Sequence, residues 1–301
     1  MRKTSIFILV AVLCIVAGLV IMVVGLAGCG FQLSDLSNLQ AETNEHVVAD
    51  PFSTLDLHTV EADLTILPAE DGVCRVVCEE TDKIAHTVAV RDGKLVIERQ
   101  DGRPWYERIG FFGQRFSITI YLPGDAYGAL TAETVSGDIS IADALAFQDT
   151  ALSTTSGDIT CAAKTSGGLT VSTVSGDITL SQHTGGPLAV STTSGDINIA
   201  QTDASAITLS SVSGSITLQD VQALGLLQAE SVSGEQRFTR TDAGRLMLSA
   251  VSGGITAELL SGKDFSYDTV SGYVSLPPDT AGAGECRIET TSGSIRVSVV
   301  E

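Results

Sequence analysis

The chain has 301 residues with 36 acidic and 17 basic side chains, which gives a formal net charge of −19. So acidic a protein repels phosphate backbones, and nucleic acid is therefore excluded as a partner. Hydrophobic residues make up 44% of the sequence but aromatic residues only 5%, so the core must be built from small aliphatic side chains. Ser, Thr, Val, Ile and Gly dominate after residue 130, a composition that favours β-sheet over helix.

Residues 1–30 are predicted to form a membrane anchor. Arg2 and Lys3 precede an uncharged apolar run from Ile6 to Ala27, which is long enough to cross a bilayer as a helix. The two positive charges favour a cytoplasmic N-terminus, so we expect a single-pass cell-membrane protein with an extracytoplasmic C-terminal body. Cys29 ends a Leu-Ala-Gly-Cys sequence that resembles the lipobox of bacterial lipoproteins. Lipidation of Cys29 is therefore the alternative to an uncleaved transmembrane helix.

The segment between the anchor and residue 130 divides into two parts. Residues 31–45 are polar and weakly patterned, which indicates a stalk. Residues 46–129 contain alternating apolar runs, and the run from Leu55 to Ile66 is a degenerate copy of the unit that repeats later, with Ala62 in place of its glycine. The Asp92-Gly93 pair between two alternating runs predicts a β-hairpin. We therefore expect a degenerate first rung and hairpins that cap one end of the fold.

An aromatic cluster interrupts this part of the chain and holds its single tryptophan. Two interpretations are open: a loop that binds a ligand or dips into the membrane surface, and a loop that folds over the open end of the sheet. We favour the covering loop. The cluster consists of Trp105, Tyr106, Phe111 and Phe112.

A Ser-Gly pair recurs every 19 to 21 residues between residues 130 and 301, always preceded by Val or Thr. Around each pair, apolar residues alternate with period two and then change phase, which predicts two short strands joined at a bend. Stacking of such units, each about 4.8 Å from the next, buries their apolar faces in a single-stranded β-solenoid of about nine to ten rungs. The glycines are Gly137, Gly157, Gly176, Gly195, Gly214, Gly234, Gly253, Gly272 and Gly293.

The alternation assigns individual side chains to the core. In one unit it predicts that Thr173 and then Val174 face inward on the two sides of the bend. Cys161 and Cys286 fall on inward positions of the second and ninth rungs, so they are predicted to be buried thiols too far apart to pair. Cys74 and Cys78 lie four residues apart in an extended run, about 13 Å, and cannot pair either. Neither pattern supplies a full ligand set, so the sequence predicts no metal site.

An aspartate follows the Ser-Gly pair in four consecutive rungs. Stacked carboxylates about 5 Å apart repel one another, and a weakly bound Ca²⁺ would relieve that repulsion. The alternative, which we favour, is a solvated ladder of turn residues, because Ca²⁺ prefers six to eight oxygen ligands. The four residues are Asp138, Asp158, Asp177 and Asp196.

The chain resembles the bacterial putative-adhesin family of domains of unknown function, domain-of-unknown-function family 4097. The resemblance rests on the repeated Ser-Gly-Asp-Ile units, on Leu122-Pro123 closing a strand before the repeats, and on the N-terminal anchor. It covers roughly residues 40–301 and implies a right-handed all-β solenoid at the cell surface, residues 130–301 being the repeats. It brings no catalytic residues. Proteins of similar layout occur in envelope-stress operons.

Together these patterns predict a non-enzymatic, membrane-anchored surface protein, an adhesin or envelope-binding solenoid that uses no cofactor. Its expected partners are the membrane, through the N-terminal segment, and a cell-wall or host surface component. The alternative is a membrane-bound scaffold or sensor in an envelope-stress system. A polysaccharide-active β-helix enzyme ranks third, because no basic cluster accompanies the aspartates and the histidines are scattered. The histidines are His46, His58, His86 and His183.

Overall fold

A computed structural model describes residues 42–102, 116–280 and 282–300. This part of the chain is built from β-strands and turns and contains no α-helix, as the composition predicts. Within the described ranges there is accordingly no helix that could span a bilayer. The predicted anchor, including Cys29, lies outside the described residues. Strand β1 (Glu42–Val48) begins inside the segment expected to be a stalk.

In the described residues, seven strands precede the repeats. Besides β1, they are β2 (Thr54–His58), β3 (Ala62–Pro68), β4 (Cys74–Glu80), β5 (Ile84–Arg91), β6 (Lys94–Asp101) and β7 (Phe116–Leu122). Strands β5 and β6 form the antiparallel hairpin predicted from Asp92-Gly93, whose two residues have φ angles of 52° and 75°. Strand β4 pairs antiparallel with β7 and also pairs with β1.

The repeats supply the remaining strands, two main ones to a rung and a short third strand in two of the rungs. The first strand of a rung carries alternating buried residues up to the Ser-Gly corner, and the second continues after it. Long strands β19 and β20 each run through a return turn and so serve two rungs. The strands are β8 (Ala126–Glu133), β9 (Ile139–Ile141), β10 (Ala146–Ser153), β11 (Ile159–Cys161), β12 (Lys164–Thr165), β13 (Leu169–Ser175), β14 (Ile178–Ser181), β15 (Thr184–Gly185), β16 (Leu188–Ser194), β17 (Ile197–Ala204), β18 (Ile207–Ser213), β19 (Ile216–Ser233), β20 (Gln236–Ser252), β21 (Ile255–Leu259), β22 (Asp264–Ser271), β23 (Val274–Ser275), β24 (Glu285–Ser292) and β25 (Ile295–Val299).

Parallel pairing in exact register stacks the rungs. Leu169 lies beside Leu188 and Ile178 beside Ile197, so equivalent residues of successive repeats form columns. The inward columns are Leu, Ile, Val and Ala side chains that are almost completely buried. Burying one Leu or Ile side chain stabilises the fold by roughly 1.5–3 kcal/mol, and a rung buries several of them only when its neighbours are present.

The Ser-Gly glycines form one column in which successive backbones touch. A Cβ added to Gly176 would lie 1.9 Å from the carbonyl oxygen of Gly157, and the same clash recurs up the column. No side chain fits there, which explains why glycine occupies the position in every repeat. The nine glycines mark nine stacked repeats joined by eight steps, which makes a solenoid of about eight turns.

The corner beside this column differs from the predicted one. Val174 does not face the core, since 48% of it is exposed, and Ser175 is exposed as well. Two consecutive outward residues make the bend. Thr173, only 5% exposed, fills the inside of the corner, and its hydroxyl donates to the carbonyl oxygen of Gly157 at 3.3 Å. The equivalent hydrogen bond recurs in the rungs on either side.

The order of rungs in space departs from the order in sequence at both ends. At the C-terminal end β24 and β25 stack directly on β20 and β21, while β22 and β23 form the outermost rung. Cys286 therefore lies between Leu246 and Phe265, one rung nearer to Cys161 than predicted. Both thiols are buried and unpaired, as predicted.

The N-terminal end shows the same exchange. Strands β2 and β3 form the degenerate rung that the sequence predicts, with Ala62 below Gly137. This rung is not outermost, because β6 pairs with β2 and β7 with β3, both in parallel. The segments Lys94–Asp101 and Phe116–Leu122, expected to belong to capping hairpins, thus make a rung of their own. The prediction missed this because residues 103–115 separate the two strands.

The glycine column yields a matched pair of substitutions. Gly253 has a φ of +150°, and its added Cβ would lie 2.0 Å from the carbonyl oxygen of Gly234, whereas a Cβ on Gly254 would make ordinary contact at 3.5 Å. We expect Gly253→Ala to lower the free energy of unfolding by more than about 4 kcal/mol and Gly254→Ala by less than about 1 kcal/mol. Urea unfolding of both variants checks this, and equal losses would contradict the close-packed column.

Candidate functional site

The aspartates after the glycine column form a hydrogen-bonded ladder. The Oδ1 atom of Asp158 accepts the backbone N–H of Asp177 at 2.8 Å, and Asp177 accepts that of Asp196 at the same distance. Asp138 serves Asp158 in the same way, and Asp196 serves Ser215. The predicted residues are therefore brought together in register, each holding the backbone of the next rung.

Asp63 begins this ladder and was missed from the sequence. Its Oδ1 atom accepts the backbone N–H of Asp138 at 2.9 Å. The signal was available, because Ala62 aligns with the column glycine and Asp63 then aligns with the aspartate that follows it. One oxygen of each of these carboxylates accepts a backbone hydrogen, so the ladder joins successive rungs whether or not a cation is present.

The ladder borders a wall formed by the outward residues of the second strands. Thr160, Thr179 and Asn198 are exposed and lie beside one another on successive rungs. On the other side of the corner runs a stripe of exposed valines, with fractional exposures from 45% to 81%. The stripe consists of Val135, Val174, Val212, Val232, Val251 and Val270.

Charge is distributed unevenly along the solenoid. Residues 123–236 contain twelve acidic residues and a single basic one, Lys164, so this stretch carries 1 − 12 = −11. Beyond it, basic residues are frequent and form ion pairs, for example Arg240 with Asp220 at 2.6 Å and Arg245 with Glu285 at 2.9 Å. The first half of the repeats therefore presents a strongly negative surface, and the second half does not.

The predicted aromatic cluster, Trp105, Tyr106, Phe111 and Phe112, lies outside the described residues. The structure instead brings together three aromatic residues that are far apart in sequence. The ring of Tyr127 stacks on Phe52 and on Phe147, each at 5.9 Å between centroids. A shallow groove of about 320 Å³ lies beside Tyr127 and Phe147. Phe147 is buried, so this group belongs largely to the core.

A second group of polar side chains collects on β1 and β4, outside the repeats. A ring nitrogen of His46, Sγ of Cys78 and a carboxylate oxygen of Glu80 lie within 4.8 Å of one another. Burial, and next the charge of Glu80, raise the pKa of Cys78 to about 12. Sequence analysis assigned Cys78 a purely structural role, because nothing in the sequence placed His46 beside it.

Three of the histidines, His58, His86 and His183, show no arrangement typical of nucleophilic catalysis. In the described ranges, the hydrogen-bond partners of His58 and His86 are carboxylates, and that of His183 is a backbone carbonyl. Burial lowers the pKa of His86, against the opposing effect of Glu80. None of these three rings contacts a serine or cysteine through a hydrogen bond that would activate a nucleophile.

Comparison with known proteins gives one family match and several similar structures. The Toastrack DUF4097 family matches residues 52–259 and 187–301. No protein of curated description matches. A putative adhesin from Bacteroides fragilis shares 18% identity over 86% of this chain and 97% of its own, with a TM-score of 0.49. A putative adhesin from Parabacteroides distasonis shares 13% over 86% and 98%, with a TM-score of 0.48. A putative lipid binding protein from the same species shares 13% over 88% and 98%, with a TM-score of 0.39.

The ladder predicts opposite effects for two substitutions of one residue. Asp177→Ala removes the acceptor for the backbone N–H of Asp196 and should cost about 1 kcal/mol of unfolding free energy. Asp177→Asn keeps an oxygen acceptor and removes one of three neighbouring negative charges, so it should match or exceed the wild type in stability. Thermal unfolding with and without Ca²⁺ checks both. Stabilisation of the wild type but not of Asp177→Asn by Ca²⁺ would show that the ladder is a cation site.

His183 predicts a loss of stability in acid. Its ring is fully buried, and its Nε2 donates to the carbonyl of Gly186 at 2.9 Å. Burial lowers the pKa of His183 from its ordinary 6.5, so between the lowered value and 6.5 the unfolded chain binds the extra proton. Stability should therefore fall as the pH drops below about 6.5, by up to about 1.4 kcal/mol per pH unit. Urea unfolding of His183→Gln should show a shallower slope, and an unchanged slope would contradict this assignment.

Proposed function

This chain belongs to the Toastrack DUF4097 family, and we propose that it is a non-enzymatic surface protein that holds its acidic solenoid wall toward a polymer of the cell wall or of a host surface. The observation that carries the proposal is the charge of residues 123–236, where twelve acidic residues accompany one basic residue. The polymer best suited to such a wall carries amino groups, because opposite charge steers and orients the encounter.

The regularity of the wall supports a chain-like partner rather than a compact one. Equivalent exposed residues, such as Thr160, Thr179 and Asn198, repeat from rung to rung in one line. A polymer lying along the axis would meet the same group at every rung, and many weak contacts along one chain add up to useful affinity. The grooves beside Phe147 and beside Gln222 are open rather than enclosed, which favours an extended contact over capture of a small molecule.

Anchoring at the membrane is part of the same proposal. It is supported by Arg2, Lys3 and the apolar run from Ile6 to Ala27, with lipidation of Cys29 as the alternative anchor. At the N-terminal end of the solenoid, β4 and β5 pair antiparallel with the outermost rung. We propose that these strands close that end against edge-to-edge association, the role that the sequence suggested for a cap.

Lysine substitutions test the wall directly. The triple variant Thr160→Lys, Thr179→Lys and Asn198→Lys adds three positive charges to the wall without touching the aspartate ladder. Binding of the full-length chain to a soluble amine-bearing polysaccharide should weaken roughly tenfold, about 0.5 kcal/mol for each charge, and wild-type binding should weaken with salt. A sedimentation or interferometry assay measures both.

A control carries the same charge change on the other strand of the same rungs. Ala151, Thr170 and Ala189 are exposed and aligned on the first strands, and their triple substitution by Lys should weaken binding far less. Equal losses in the two triple variants would mean that net charge alone governs binding, and no binding to any surface polymer would overturn the proposal. New reducing ends in the polysaccharide would favour an enzyme instead.

A further inference from the structure

The polar group on β1 and β4 is assembled by strand geometry. Cys78 and Glu80 are two residues apart on β4, so both side chains point to the same face, where both are buried. Strand β1 pairs with β4 and brings His46 to that face. The result is one nitrogen, one sulfur and one carboxylate oxygen, all within 4.8 Å of one another.

This group contains a buried nitrogen that the protein leaves without a partner. The Nε2 atom of His46 is inaccessible to solvent and makes no hydrogen bond. A buried polar atom without a partner is unfavourable, and here it lies in a residue that is grouped with a thiol and a carboxylate. The lone pair of a neutral imidazole, next to a thiol and a carboxylate, is the arrangement that a metal ion satisfies.

The carboxylate is held in place by its own partners. The Oε2 atom of Glu80 accepts from the Nδ2 atom of Asn44 at 2.6 Å, and its Oε1 atom accepts the backbone N–H of His86 at 2.6 Å. The Nδ1 atom of His86 lies 3.3 Å from the same Oε1. Ligating carboxylates in metal proteins are oriented by outer contacts of this kind, and such contacts support the affinity of the site.

We propose that His46, Cys78 and Glu80 bind a divalent transition-metal ion of the Zn²⁺ class. Imidazole nitrogen, thiolate sulfur and carboxylate oxygen are the three ligand types that Zn²⁺ accepts, and a water molecule completes four-coordination. Mg²⁺ and Ca²⁺ prefer oxygen ligands only and do not fit. On binding, a bond forms between the metal and Sγ while the thiol proton leaves to solvent, so binding strengthens as the pH rises.

The site would join β1 to β4 across the strand pair. A ligand that binds only the folded chain adds stability in proportion to the logarithm of its concentration over its dissociation constant. Since His46 comes from β1 and both other ligands from β4, metal binding would stabilise the pairing of these two strands. The metal therefore has a structural role, distinct from the surface contact proposed for the solenoid wall.

Titration of the purified full-length chain with Co²⁺ tests the site, because a Co²⁺–thiolate bond gives a charge-transfer absorption in the near ultraviolet. We expect one equivalent of Co²⁺ to bind with this absorption, and Zn²⁺ but not Mg²⁺ to displace it. Cys78→Ser should abolish the absorption. His46→Gln should lower the affinity more than about tenfold, and Asn44→Ala about tenfold, the scale typical of losing an outer contact.

Cys74→Ser is the matched control. Cys74 is buried on the same face of the same strand but lies outside the group, so its variant should bind Co²⁺ like the wild type. Absence of stoichiometric binding to the wild type would overturn the proposal, and so would a thiolate absorption that survives in Cys78→Ser. Should Cys78→Ser fail to fold by circular dichroism, unchanged affinity in His46→Gln would overturn it equally.

Discussion

The contact on which the structure depends is the approach of one glycine carbonyl to the next glycine at the corner of each rung. The two backbones can pack this closely because glycine has no Cβ. An added Cβ would lie about 2 Å from that oxygen. The spacing so fixed lets the hydroxyl of Thr173 reach the carbonyl of Gly157 and lets the carboxylate of Asp158 reach the backbone of Asp177. The bend, the hydrogen bond of the threonine and the hydrogen bond of the aspartate thus all depend on this one close contact.

This arrangement separates the residues that fold the chain from those that face solvent. The column and the inward aliphatic residues set the register, and the outward positions are left to vary between Thr160, Asn198 and Arg237 at equivalent places. The same scaffold therefore carries an acidic first half and an ion-paired second half. In the surface contact proposed above, specificity would reside in the pattern of exposed side chains along a line.

The features that sequence reasoning predicted are those encoded locally and repeated. The period and the alternation predicted that Cys161 and Cys286 lie in the core, because the equivalent positions of the other repeats are apolar. Spatial order was not predictable in this way, since Cys286 packs equally well against Leu246 or Phe265 and a near-identical rung accepts either neighbour. The outward position of Val174 was not predicted, because a valine before the Ser-Gly pair can continue the alternation of either strand. The group around Cys78 depends on a pairing between β1 and β4 that no local pattern specifies.

The exchanged order of rungs at the two ends has a mechanical consequence. A terminal strand that lies outermost is peeled away by breaking one line of hydrogen bonds at a time, which needs little force. Here β24 and β25 pair with a rung on each side, and so do β2 and β3 near the other end. Tension on β25 must therefore break ladders on both of its sides together, whereas at the other end β1, which pairs with β4, meets a load before β2 does.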